Sequence, residues 1–391
     1  MKQKKISNVN NSEAAEAILM KPLEKLFNAP AYTNPQEAYM ENMAALNAIQ
    51  EETPVTGEQW KKLYEVTENI KKLAPWEALH ESQRITILLP GRDEPVYIVV
   101  MGNGGITYGI GIYPGYDSLR RLHKMIEGES DKLNISAALE QHCINLYFCD
   151  REELEPKDKK VIKELGLKFR GKKQWPYFRS MKPGFMPWHI NQDEAELTIA
   201  ALQNFVMAFL SYATDGLEVD FENGETLLRF YDSDSDTWYN TNVEMPPTPS
   251  VTPKLVIRDD LLCARLKRKK KNHAKLSFTL TYLPMPIQEN KNYRPILPRI
   301  AILSDEVNGL IIDKAIETGY EAIGEAIAEM IINYVTEHGR PISIAVSGED
   351  TRNYIEDFAA KLNIKLVEDE TLGSITNQLI SMMAMMEPDY L

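Results

Sequence analysis

An α+β first domain with antiparallel strands, followed by an α/β second domain, is the architecture this sequence predicts, and three observations carry the prediction. The chain has 391 residues, more than one hydrophobic core usually serves. Four prolines fall in the nine residues 245–253, a stretch that can be neither helix nor central strand and reads as a stiff, extended linker. Beyond that break the order becomes strands, then helix, strand, helix, strand, helix, whereas before it short strands cluster between helices. The divisions are a helical arm over 1–54, an α+β domain over 55–245, a proline-rich linker over 246–253 and an α/β domain over 254–391.

Each element has a local reason. Ser12 with Glu13 and Glu16 marks a helix start, and Ile18, Leu19, Leu23, Leu26 and Phe27 recur at helical spacing, interrupted by Pro22. Asn34-Pro35 opens a second helix with Tyr39, Met43, Leu46 and Ile49 on one face, and a third runs from Thr56 to Leu73. Ile85–Leu89, Val96–Met101 and Ile106–Tyr113 read as a three-stranded meander, its turns at 90–95 and 102–105. A helix over Ser118–Glu127 and a strand over Ile144–Phe148 follow. Pro156 and Gly166 bracket the next helix. Asp193 and Glu194 open an apolar helix reaching about Tyr212. In the second domain, Leu255–Lys267 and Lys275–Tyr282 read as paired strands with a lysine-rich tip. Pro298–Leu303 and Gly309–Ile316 read as a hairpin turning at 305–308. Helices over Glu321–Glu337, Glu349–Leu362 and Ser374–Met385 then alternate with strands over Ile342–Val346 and Ile364–Val367.

Composition narrows the function classes. Hydrophobic residues are 43% and charged residues 26%, the profile of a globular protein. No apolar run reaches 18 residues, which argues against a membrane span, and the polar start lacks a secretory signal, so the expected location is the cytoplasm. The 44 basic and 57 acidic residues leave a net charge of −13, which argues against a protein that coats DNA. Three cysteines and six scattered histidines show neither a disulfide framework nor zinc-ligand spacing.

Two stretches carry dense positive charge inside this acidic chain. Residues 168–182 hold Lys168, Arg170, Lys172, Lys173, Arg179 and Lys182 with no acid, and Phe169, Trp175, Tyr177 and Phe178 are interleaved. Cations could meet phosphates there while aromatic faces stack bases. The competing reading packs the aromatics of a long loop against the core and leaves the lysines solvated. Residues 265–275 hold Lys267, Arg268, Lys269, Lys270 and Lys271 between Arg265 and Lys275. Such a cluster can bind nucleic acid or an acidic protein, or can protect a strand edge from aggregation. The glycines of 101–115 lie between two strands, so they read as a hairpin turn and not as a phosphate loop. Asp232–Asp236 lacks the glycine and glutamate of a calcium loop. No nucleophile elbow is present, and His189 reads as a neighbour of a helix cap.

The phrases APWEAL (74–79), VMGNGGITYGIGIYPG (100–115), FRSMKPGFMPWHINQDEAELTIAAL (178–202) and the C-terminal hairpin with its helices resemble a group of bacterial two-domain proteins built from domains of unknown function. That resemblance spans most of 55–386 and implies two modules with no assigned activity. The element order of the second domain is similar to ribonuclease-H-like domains, whose enzymes hold two metals between carboxylates of the first and fourth strands and a helix. Asp305 is the candidate for the first acid. Ser347 stands where the fourth-strand acid is expected, with Glu349 and Asp350 just after it. A neutral hydroxyl is a poor ligand for a hard cation, so the domain is expected to be catalytically inert, without metal or cofactor. The sequence therefore reads as an intracellular, non-enzymatic binding or interaction protein. Its partner contacts would use Lys168, Arg170, Lys172, Lys173, Trp175, Arg179 and Lys267–Lys271. The alternative is a nucleic-acid-binding or nuclease-like protein in which Asp305, Glu349 and Asp350 converge on a metal.

Overall fold

The structure, a computed structural model, describes residues 7–8, 19, 52–126, 135–247, 255–283, 285–288, 290–318, 320–369 and 371–372. Most of the arm read over 1–54, the linker residues 248–253 and the last helix read over Ser374–Met385 lie outside these residues. The described part of the arm does not stand apart. Ser7–Asn8 adds a short strand beside Tyr239 and Asn240, and Leu19 is buried against Leu228, Phe230 and Val243.

An eight-stranded sheet organises the first half. Its strands are β1 (Ser7–Asn8), β2 (Ile85–Leu88), β3 (Val96–Met101), β4 (Tyr108–Pro114), β5 (Cys143–Cys149), β6 (Trp175–Met181), β7 (Glu225–Asp232) and β8 (Thr237–Glu244), in the order β1-β8-β7-β2-β3-β4-β5-β6. The meander read for β2, β3 and β4 is present, with the glycine turn 102–105 between β3 and β4. The helices are α1 (Gly57–Leu73), α2 (Gly115–Ile126), α3 (Ile135–Leu139), α4 (Pro156–Glu164) and α5 (Gln192–Thr214). Thr56 and Gln59 close a capping box at the start of α1, and Asn191 and Glu194 close another at α5. Residues of α1 and α5 pack with Val96, Ile98 and Val100 on one face of the sheet, while Tyr97 and Val99 pack with α2 on the other. Both faces of β3 are buried, which is why its sequence is a continuous apolar run without alternation. At Gly109 a Cβ would lie 2.4 Å from the Leu146 carbonyl oxygen, so β4 can approach β5 only as glycine there. Among the described residues, α5 alone is long and apolar enough to cross a membrane, and it buries Ile199, Leu202, Phe205 and Phe209 in the core.

The second half forms a five-stranded sheet from β9 (Lys275–Tyr282), β10 (Arg299–Asp305), β11 (Ile311–Glu317), β12 (Ser343–Val346) and β13 (Lys365–Glu368), ordered β11-β10-β9-β12-β13. β9, β10 and β11 are an antiparallel meander, and β12 and β13 run parallel to β9. Counted within the domain this is order 3-2-1-4-5 with strand 2 reversed, the ribonuclease-H-like arrangement expected from the element order. Helices α6 (Asp260–Lys267), α7 (Tyr320–His338) and α8 (Glu349–Leu362) cover the face that carries Leu276, Phe278, Leu303, Ile344 and Val346. Among the described residues β11 is one edge of this sheet, and Leu310, Ile311, Ile312 and Ile316 are exposed along it with Asp313 and Lys314 in their midst.

Two elements differ in type from the reading: 175–181, read within a long loop, is the strand β6, and the second lies just after the linker. Leu255–Lys267 is not a strand: 260–267 is the helix α6, and Asp259 caps it by accepting from the Leu262 amide at 2.8 Å. The lysine-rich run is therefore a helix end and turn, not a hairpin tip.

Candidate nucleic-acid interface

The basic run of 265–275 leaves α6 and passes across the C-terminus of α7. The Lys269 Nζ donates to the Thr336 carbonyl at 2.9 Å, and Asn272 donates to the His338 carbonyl at 2.9 Å. Arg340 completes the corner, donating through Nε to the Lys269 carbonyl at 2.9 Å and through its guanidinium to the Leu362 carbonyl at 2.8 Å. Cations at a helix C-terminus face the negative end of its dipole, which is one reason this sequence turns here. Lys267, Arg268, Lys270 and Lys271 remain exposed, and Lys269 is half-buried.

Sheet register widens the patch. Lys275 on β9 and Lys365 on β13 both stand opposite Ser343 on β12, so the N-terminal ends of three parallel strands bring cations side by side. Arg265, Lys267–Lys271, Lys275, Arg340 and Lys365 thus share one end of the second sheet. The acids at this end include Glu306, whose amide bonds the Lys275 carbonyl, and Glu337, beside His338. Arg340 and Lys365 were not singled out in the sequence, because only strand pairing brings them to 265–275.

The other basic segment is built differently. Residues 175–181 form β6, paired along its length with β5. Arg179 points into the protein: its guanidinium donates to Asp158 at 2.7 and 3.1 Å, to Glu155 at 2.7 Å and to the Phe178 carbonyl at 2.7 Å. Burial alone would lower its pKa, but Asp158 and Glu155 outweigh burial and raise it. His189 donates to Glu155 from 3.1 Å, and this bond, with Arg179, holds the Glu155 carboxyl at about 2 against the opposing effect of burial. Arg179 is therefore withdrawn as a contact for an external anion. Trp175 packs edge-on to Phe169 and under Arg151, so it is not a free stacking platform. Lys168, Arg170 and Lys172 are exposed and Lys173 is half-buried, but the Lys173 amide binds Asp150, in the acidic stretch Asp150–Glu153.

The proposed metal carboxylates do not assemble as the alternative requires. The first strand of the second sheet, β9, reads KLSFTLTY and carries no acid. Asp305 ends the second strand, β10, and its Oδ1 accepts from the Val307 and Asn308 amides at 2.9 and 3.1 Å, closing the β10–β11 turn. Glu349 is the first residue of α8 after the cap residue Gly348, and the side chain of Asp350 lies outside the described residues. Glu368 ties the end of β13 to the start of α8, accepting from the Gly348 amide at 2.7 Å and from Arg352 at 2.6 Å. Asp305 faces Leu276 near the start of β9, whereas Glu349 follows the C-terminal end of β12, which runs parallel to β9. Among the described residues no group of three His, Cys, Asp or Glu side chains could hold a metal ion.

Comparison with known proteins gives two domain matches. A domain of unknown function (DUF7309) covers residues 60–229, and a second (DUF6930) covers 262–383, so the chain is a tandem of two uncharacterised domains. No curated protein matches it. Among solved structures it is similar to a chain of the simian T-cell lymphotropic virus intasome in complex with the PP2A regulatory subunit B56 gamma, at 17% identity and a TM-score of 0.20. That match covers 32% of this chain and 46% of the viral one, so this chain spans about half the length of that relative. The HTLV-2 integrase catalytic core domain in complex with magnesium is similar at 13% identity and a TM-score of 0.20, over 31% of this chain and 78% of that one. Likenesses of this size add nothing to the topology already described.

Proposed function

We propose that this tandem of uncharacterised domains is a non-catalytic binding protein that engages a nucleic-acid backbone through the basic end of its second sheet. One observation carries the reading. Nine cations from α6, the turn after it, Arg340 and the first residues of β9 and β13 gather at the strand N-termini, while the carboxylates a two-metal site would need are scattered or engaged in capping. Lysine and arginine at such density displace condensed counterions from phosphates, which drives association without base recognition. The binding end and the end that a ribonuclease-H-like enzyme uses are opposite, so contact and cleavage would not share a surface.

The test is binding of single-stranded and duplex probes, DNA and RNA, at low salt, with and without magnesium or manganese. Binding that weakens steeply with salt, without cleavage, supports the reading. Failure of every probe to bind removes nucleic acid as the partner and leaves an acidic protein as the occupant of the same patch. Metal-dependent cleavage abolished by Asp305→Asn would overturn the non-catalytic reading.

A further inference from the structure

The seam between the two domains is made of buried charge and paired backbone, which is unlike the surface of two modules on a string. Residues 184–186 follow β6 in the first domain, and 295–297 precede β10 in the second. The Met186 amide donates to the Pro295 carbonyl at 3.0 Å, the Leu297 amide donates to the Gly184 carbonyl at 2.8 Å, and Phe185 and Ile296 form an antiparallel bridge. Gly184 has φ +80° and a Cβ there would touch the Tyr282 ring at 3.7 Å, so the approach suits glycine.

Side chains lock the same seam at two points. Arg294 from the second domain has a fully buried side chain whose guanidinium reaches Glu52 at 3.4 Å, and Lys182 reaches Glu52 at 2.9 Å and Glu194 at 3.2 Å. Two cations and two carboxylates from separate parts of the chain thus balance in one cluster. Burial lowers the pKa of Arg294, while Glu52 and Glu194 hold its charge in place. At the second point Arg299 at the start of β10 bonds Glu140 of the first domain at 3.4 Å, and Tyr282 and Tyr354 at 3.0 and 3.2 Å. A buried guanidinium stripped of its carboxylate is strongly unfavourable, so neither domain can move away without exposing or stranding these groups.

We infer that the two domains form one rigid body keyed by Arg294. The C-terminal end of β9 is then held against the first domain, while the basic N-terminal end is turned outward.

The test inserts twenty Gly/Ser residues within 248–254 of the full chain and measures the radius of gyration by small-angle X-ray scattering. A freed tether of that length would add roughly 25 Å of root-mean-square reach, against a compact radius of about 21 Å for this chain length. An unchanged radius and a single thermal transition are expected. Expansion of the wild-type seam, or separate transitions for the two halves, would overturn the inference. In the lengthened chain, Arg294→Gln combined with Glu52→Gln should open the particle with both domains still folded by circular dichroism. An unchanged radius in that double variant would remove Arg294 as the key. If it loses its secondary structure, Glu52→Gln alone is measured in its place, which leaves Arg294 without its ion pair, and the same two outcomes decide.

Discussion

The two basic segments look alike as strings of letters and are opposites as structures. Residues 168–182 place Arg179 inside the protein, where Asp158 and Glu155 consume its charge, Lys182 is paired with Glu52 and Glu194, and the Lys173 amide binds Asp150. Residues 265–275 keep their cations outward and recruit more from Arg340 and Lys365. The difference teaches that charge density along a chain says little about a binding surface. What decides is whether the backbone turns the side chains toward solvent or threads them through a sheet. Arg179 lies under Glu155 and Asp158 at the start of α4, so β6 has no solvated side to offer its arginine.

The largest expected effect tests the buried side of this comparison. Arg179→Met should destabilise the fold by about 3–5 kcal/mol, because Asp158 would be left charged and buried. Urea denaturation measures it, and nucleic-acid affinity per folded molecule should not change. Next, replacing Lys267, Arg268, Lys270 and Lys271 by Gln should weaken probe binding on the order of 100-fold at 50 mM salt and flatten the log–log salt slope by roughly 3 to 4. Fluorescence anisotropy across a salt series gives both values. A smaller effect belongs to Glu155. Its folded pKa of about 2 lies below the ordinary 4.5, so its contribution is complete above pH 4.5 and is lost as pH falls from there toward 2. Stability measured over that window should fall less steeply in Glu155→Gln than in the wild type. Least of all, Lys168, Arg170 and Lys172 replaced together by Gln should change probe affinity by less than about twofold. A loss as large as that from the second segment would erase the distinction between the two.

Much of the second domain was legible because its helices are long and periodic and its turns carry Asp, Asn and Gly where turns need them. From β9 to β13 the strand and helix order came through, and with it the ribonuclease-H-like arrangement. Two errors have identifiable causes. Leu255, Val256 and Ile257 bias the eye toward a strand, although Asp259 with Leu262 and Leu266 already gives a cap and helical spacing for α6. β6 was missed because Pro176 and the flanking lysines imitate a loop, and its pairing with β5 leaves no local signal. The candidate interface was half visible: the run 265–275 is contiguous, but Arg340 and Lys365 join it only through strand register. The seam was invisible for the same reason in stronger form, since Arg294 and Glu52 are 242 positions apart and Arg299 and Glu140 are 159 apart.

Among the described residues β11 is an edge strand, and that edge gives the molecule a response to ionic strength opposite in sign to the one proposed for the basic end. Its outer peptide groups pair with no strand among the described residues and, with Ile311, Ile312 and Ile316, would accept one, whereas the like charges of Asp313 and of Lys314 repel an identical edge in register. Added salt shortens the reach of that repulsion to within a few ångströms while leaving peptide pairing and apolar contact intact. High salt, which would weaken the proposed nucleic-acid contact, is thus expected to favour turbidity and loss of monomer in concentrated solution. A moderate ionic strength would then balance release of the proposed ligand against association through this edge.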